Sequence, residues 1–184
     1  RNRRLVGLVA VFCGYWAIQQ QLSVLIPLAA ARLGAPQTVG TLVSLSAVAG
    51  LMLILCMPRL RMERLWHQLL LAQGVTAGSM ALPLWVTGYP GIAFATVGLA
   101  VAAVLAQPAL DALVGALSPP ETRASAYGFS ALSFGIGGAI GQVLGGWSWS
   151  MWGVSAPWLP WSLFTGLGIV TLAGLHLLKN GVKA

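Results

Sequence analysis

The sequence predicts an all-α integral membrane protein, with six transmembrane helices forming one bundle. Three observations carry that reading. Only 7% of the 184 residues are charged, against roughly 25% in a soluble domain, too few polar side chains to cover a water-facing surface. Six stretches reach the ~20 residues of mainly apolar chain that cross a hydrocarbon core. Nine of the ten Lys and Arg residues then fall on one side of the membrane and one on the other.

The first stretch, Leu5 to Ala31, is interrupted by Gln19, Gln20 and Gln21 and closes at Gly34-Ala35-Pro36. It follows the basic run at Arg1, Arg3 and Arg4, which imitates a secretory leader, but the length and the glutamines argue against one. Thr38 to Met57 is the second stretch, closed by the basic connector Pro58 to Arg64. Leu65 to Val86 is the third, ended by the breaker triplet Gly88-Tyr89-Pro90. The fourth, Gly91 to Leu117, carries Gln107, Pro108 and Asp111 and stops at Ser118 to Arg123. The fifth, Ala124 to Trp149, is rich in glycine; Ser150 to Ser155 separates it from the sixth, Ala156 to Leu178. These form one domain over 1–184. A start at Arg1 in place of Met is expected of a segment of a longer protein.

Arg1, Arg3, Arg4, Arg59, Arg61, Arg64, Arg123, Lys179 and Lys183 share one side, and Arg32 stands opposite. The positive-inside rule puts the nine in the cytoplasm and with them both termini. Trp85, Tyr89, Trp147, Trp149, Trp152, Trp158 and Trp161 gather at the outer ends, as an interfacial belt does. The net charge of +7 therefore encodes topology, and the scattered basic residues do not form the clustered face of a nucleic-acid binder. Cys13 and Cys56 have no metal-binding or disulfide spacing. No cofactor and no metal are expected.

Polar groups inside a membrane helix tend to face a bundle interior or a water-filled cavity. Three consecutive glutamines cover about 300° of a helix, so Gln19, Gln20 and Gln21 cannot share one cavity. Tyr15 lies one turn from Gln19, and Trp16 one turn from Gln20; such aromatic-plus-amide surfaces suit a lipophilic substrate, while bonding to neighbouring helices is the competing use of the amides. Gln107 is a second deep polar group. Asp111 is about 10 Å along the helix from Ser118, within reach of Arg59, Arg61 or Arg64 as a charge latch at the helix end. Gly137, Gly141 and Gly145 recur every four residues, a small-residue packing stripe. The other titratable groups, Glu63, Glu121, His67 and His176, also lie near the basic ends, so a midplane coupling acid is expected to come from outside this chain.

Gly14-Tyr15, Gln21 and Pro27, Pro108-Ala109, Gly128-Phe129-Ser130, the run from Ile136 to Gly141, Gly145-Gly146-Trp147 and Leu159-Pro160-Trp161 together resemble the C-terminal six-helix half of a major facilitator superfamily transporter. The likeness is to the MdtH-type branch of bacterial multidrug/proton antiporters and covers nearly the whole chain. It implies two six-helix bundles facing each other across a cavity, with alternating access by rocking. The first and fourth spans would then line the cavity, placing Tyr15, Trp16, Gln19, Gln21 and Gln107 near substrate. The second and fifth would form the rocking interface, giving Gly137, Gly141 and Gly145 that role. The connector with Arg59, Arg61 and Arg64 occupies the place of a gating loop but lacks the usual Gly and Asp pattern. The resemblance also implies an acid where this chain has Gln107.

The expectation is therefore half of a multi-pass transporter of the bacterial inner membrane, exporting lipophilic drugs or metabolites on a proton gradient. Its partners would be the lipid bilayer, a small lipophilic substrate, and an N-terminal six-helix half or a second copy. An intramembrane serine protease using Ser79 and His176 is disfavoured, because the pair sits at different depths and a nucleophile needs its base within hydrogen-bond reach. A non-transporting structural or regulatory bundle is the other alternative.

Overall fold

A computed structural model describes residues 3–34, 37–56 and 65–181. Among these, all regular structure is helical: α1 (Arg3–Gln19), α2 (Leu25–Arg32), α3 (Gln37–Cys56), α4 (Leu65–Trp85), α5 (Tyr89–Leu117), α6 (Arg123–Trp152) and α7 (Trp158–Asn180). The connector arginines Arg59, Arg61 and Arg64, with Arg1, Ala35, Pro36, Pro58, Glu63 and Lys183, lie outside the described residues.

The first span is two helices, not one. A 3-10 turn over Gln20–Leu22 separates α1 from α2, and the cause is Pro27. It has no N–H to offer the Ser23 carbonyl, and its ring crowds that group, so a continuous α-helix fails at this turn. The Ser23 N–H bonds instead to Gln20 O at 3.0 Å, and the Leu28 N–H restarts the ladder on Val24 O at 3.2 Å. In contrast, α5 runs unbroken through Pro108 and α4 through Pro83.

Among the described residues, five segments are long and apolar enough to cross a membrane: Arg3–Arg32, Gln37–Cys56, Tyr89–Leu117, Pro120–Trp152 and Trp158–Asn180. The remaining helix, α4, has the length but carries Gln68, Gln73, Thr76 and Ser79, all of them buried. It packs between α5 and α7, and turns those polar groups onto its neighbours. Gln68 Nε2 donates to Leu105 O at 2.9 Å, Thr171 Oγ1 donates to Gln73 Oε1 at 3.5 Å, and Thr76 and Ser79 bond back to carbonyls one turn earlier. Apart from Gln73 Nε2, which has no partner among the described residues, these polar atoms are satisfied inside the bundle, away from lipid.

The start of α1 and the end of α7 lie at one end of the bundle. The Arg4 guanidinium donates to Gly181 O at 3.4 Å, and Lys179 Nζ lies 3.0 Å from His67 Nε2, which gathers the starts of α1 and α4 with the end of α7. At the opposite end Arg32 donates to the carbonyls of Gly153 and Val154, pinning α2 to the α6–α7 turn. Trp85, Trp147 and Trp158 are exposed at that same end.

Helices in lipid gain little from apolar burial and associate through close packing and hydrogen bonds. The α1–α6 contact shows how. A Cβ at Gly137 would run into the Cys13 carbonyl, one at Gly141 into Ala17, and one at Gly145 into the Gln21 side chain. Cys13, Ala17 and Gln21 recur at the same four-residue interval as the glycines, so the two parallel helices close backbone to backbone in register. The glycine stripe is thus turned into the bundle as a helix-packing face against the first span. The outward side of α6 carries Leu132, Ile136, Ile140 and Val143 instead. The α3 helix packs on α5 and α2 and buries only Leu42.

Candidate functional site

A cleft of about 420 Å³ opens between α1, α5 and α6, lined by Trp16, Gln107, Leu110, Asp111, Tyr127, Ser130, Ala131 and Phe134. Its polar wall comes from α5. Gln107 and Asp111 are one turn apart, and Gln107 Nε2 lies 3.1 Å from each carboxylate oxygen. Tyr127 reaches across from α6 and donates to the Asp111 backbone carbonyl at 3.1 Å. It comes that close because Gly115 has no side chain; a Cβ there would sit 2.8 Å from the Tyr127 hydroxyl. The aromatic wall is Trp16 of α1 against Phe134 of α6, edge to face at 5.0 Å between centroids and 87° between planes.

Further from the termini the face continues with Gln20 and Gln142, whose amides meet at 3.4 Å. Gln20 lies over Gly138, which leaves space for it beside α6. The open face thus offers flat aromatic surface, amides that donate and accept, and a carboxylate whose side-chain partner among the described residues is the Gln107 amide. That combination binds an apolar body through stacking and orients it through a few polar contacts.

The expected site residues divide. Trp16 and Gln107 line the cleft. Tyr15, Gln19 and Gln21 do not: they are buried inside the bundle. Gln19 Nε2 donates to the Tyr15 hydroxyl at 2.9 Å and to Leu99 O at 3.2 Å, fastening α1 to α5. Gln21 Nε2 donates to Ala17 O at 2.8 Å and to Gly141 O at 2.9 Å, fastening the 3-10 turn to α6. Placement near substrate is corrected for these three, because the break after Gln19 and the tight α1–α6 packing direct them inward. Asp111, expected in a latch with Arg59, Arg61 or Arg64, has Gln107 as its carboxylate partner among the described residues; the three arginines lie outside them.

Sequence reasoning missed Tyr127, Ser130 and Phe134. Their spacing of three and four places them on one face of α6, and that periodicity was the available signal, masked by the glycines around it. Among the described residues no group of His, Cys, Asp and Glu is arranged to hold a metal ion.

The sequence profile of the Major Facilitator Superfamily matches residues 5–182. The chain belongs to the Major Facilitator Superfamily. It is a multi-pass membrane protein of that superfamily, consistent with its helical bundle of long apolar segments. It is 30% identical to proteins named Multidrug resistance protein MdtH from Yersinia pestis (strain Pestoides F) and Yersinia pseudotuberculosis (serotype O:1b, strain IP 31758), an alignment covering 96% of this chain and 45% of each relative. The chain thus spans about half the length of the curated superfamily members it matches. No solved structure matches it.

Proposed function

We propose that this chain is the C-terminal half of a secondary transporter of the bacterial inner membrane, exporting lipophilic drugs or metabolites by alternating access on a proton gradient. The observation that carries this reading is the α1–α5–α6 cleft, where the edge-to-face pair of Trp16 and Phe134 faces the amide and carboxylate of Gln107 and Asp111. An aromatic and amide surface accepts lipophilic molecules of varied outline, and Asp111 adds a preference for a cationic or hydrogen-bond-donating group. The name of the MdtH relatives supports the direction of transport.

Six passes in one bundle form half of an alternating-access device, which needs a second bundle across the cavity. That partner is an N-terminal six-helix half or a second copy of this chain. Asp111 sits near one helix end, so the coupling proton is carried by an acid outside this chain. The basic end, with both termini, faces the cytoplasm.

Efflux of a fluorescent lipophilic dye into everted vesicles tests this in the protein that carries the chain. Trp16→Ala removes one aromatic wall and is expected to raise the apparent KM about fivefold, the loss of roughly 1 kcal/mol of aromatic contact. Asp111→Asn is expected to weaken cationic dyes more than neutral ones, with proton-gradient dependence retained. If Trp16→Ala, Gln107→Leu and Asp111→Asn all leave efflux unchanged, the cleft does not bind substrate, and a non-transporting bundle is the better reading.

A further inference from the structure

A second groove lies on the other side of α1, where its first turns meet the last turns of α7. Its volume is about 460 Å³, and Arg3, Arg4, Gly7, Gly174, Leu177 and Leu178 are among the residues that line it. We propose that this groove binds one anionic phospholipid of the cytoplasmic leaflet. The proposal rests on the membrane-spanning reading with this end in the cytoplasm.

The lining has two parts in the order a phospholipid needs them. Arg3 and Arg4 stand at the helix end, where a phosphate diester would lie. Below them the two helices meet at glycines. Leu178 Cδ2 would lie 2.7 Å from a Cβ at Gly7, and Val11 Cγ2 would lie 3.0 Å from one at Gly174. The helices therefore close at these glycines, and Leu178 and Val11 lie over them as the apolar base of a trough. Leu177, 71% exposed, and Leu178 flank the trough, an apolar bed for an acyl chain.

Charge favours an anion. The acids among the described residues, Asp111 and Glu121, are not among the residues lining this groove. Lys179, close to His67 at the same end, adds to the positive field. Basic pockets between membrane helices on the cytoplasmic side attract anionic head groups, at about 1 kcal/mol for each Lys or Arg near the surface. A soluble anion would use the arginines but not the apolar trough. The facing is also settled: Gly7 and Trp16 are nine residues apart, which at about 100° per residue sets them on opposite sides of α1. The groove thus points away from the cleft and toward lipid.

The protein, purified in mild detergent, is titrated with phosphatidylglycerol, phosphatidylcholine or inorganic phosphate, and bound lipid is counted by native mass spectrometry. One phosphatidylglycerol is expected to bind ahead of phosphatidylcholine, with about fivefold weaker binding for each of Arg3→Gln and Arg4→Gln and no displacement by phosphate. Gly174→Leu fills the trough and is expected to weaken both lipids while the arginines remain. Unchanged phosphatidylglycerol preference in the double arginine variant overturns the proposal, as does unchanged binding in Gly174→Leu or displacement by phosphate, which marks a soluble-anion site. A C-terminal reporter found outside the cell overturns the leaflet assignment. No preference for phosphatidylglycerol in the unaltered protein, with efflux intact, overturns this site alone; efflux that is unchanged in the Trp16 and Asp111 variants bears only on the cleft.

Discussion

Replacing Gly141 by alanine tests whether close backbone packing holds α6 to α1. The added Cβ would lie 2.6 Å from Ala17 Cα and 2.8 Å from its carbonyl carbon, where ordinary contact starts near 3.4 Å. The helices must therefore separate locally by close to an ångström, roughly the difference between those distances, and overpacking of this kind costs about 1–3 kcal/mol. The same shift pulls Gly141 O away from Gln21 Nε2, now at 2.9 Å, forfeiting an interhelical hydrogen bond of about 0.6 kcal/mol. Together Gly141→Ala is expected to destabilise the bundle by roughly 2–4 kcal/mol. Gly135→Ala is the matched control on the same helix, since nothing stands within 4 Å of its Cβ; the change is expected to be neutral or to stabilise by up to about 1 kcal/mol through helix propensity. Reversible unfolding of the purified protein in mixed micelles, followed by tryptophan fluorescence, reads both. Equal effects at the two positions would refute the packing argument, because propensity alone would then account for them.

Two smaller changes probe the polar interior and the break in the first span. Gln21→Leu loses the bonds to Ala17 O and Gly141 O and is expected to destabilise by about 1–2 kcal/mol, whereas Gln73→Leu, which removes a buried amide nitrogen without a partner among the described residues, is expected to be neutral or stabilising in the same unfolding assay. Pro27→Ala restores an N–H that can reach the Ser23 carbonyl, so hydrogen exchange across Gln20 to Pro27 is expected to slow as α1 and α2 merge; unchanged exchange would mean that another contact, not the proline, holds the turn.

Much of the fold was legible because lipid imposes a simple condition. Every spanning backbone must satisfy its own hydrogen bonds, so apolar length, breaker residues and the placement of basic residues were enough to mark helices such as α3, α5 and α7 to within a few residues. The break between α1 and α2 was visible only in part: Pro27 was seen, but a proline can interrupt one helix and be absorbed by another, as Pro108 is in α5, and the neighbours that take up freed backbone groups decide which.

The site was less legible for the same reason. Sequence fixes the angle between residues around a helix axis, which sets Trp16 and Gln20 on a side adjacent to that of Tyr15 and Gln19, but not which side meets another helix. Only the bundle decided that Gln19 bonds to α5 and Gln21 to α6, that the Gly137, Gly141 and Gly145 stripe lies against α1, and that Tyr127 and Phe134 of α6 complete the cleft begun by Trp16 and Gln107. Periodicity along one chain is a local property; which faces touch depends on helices far apart in sequence, brought together by close packing and a few hydrogen bonds.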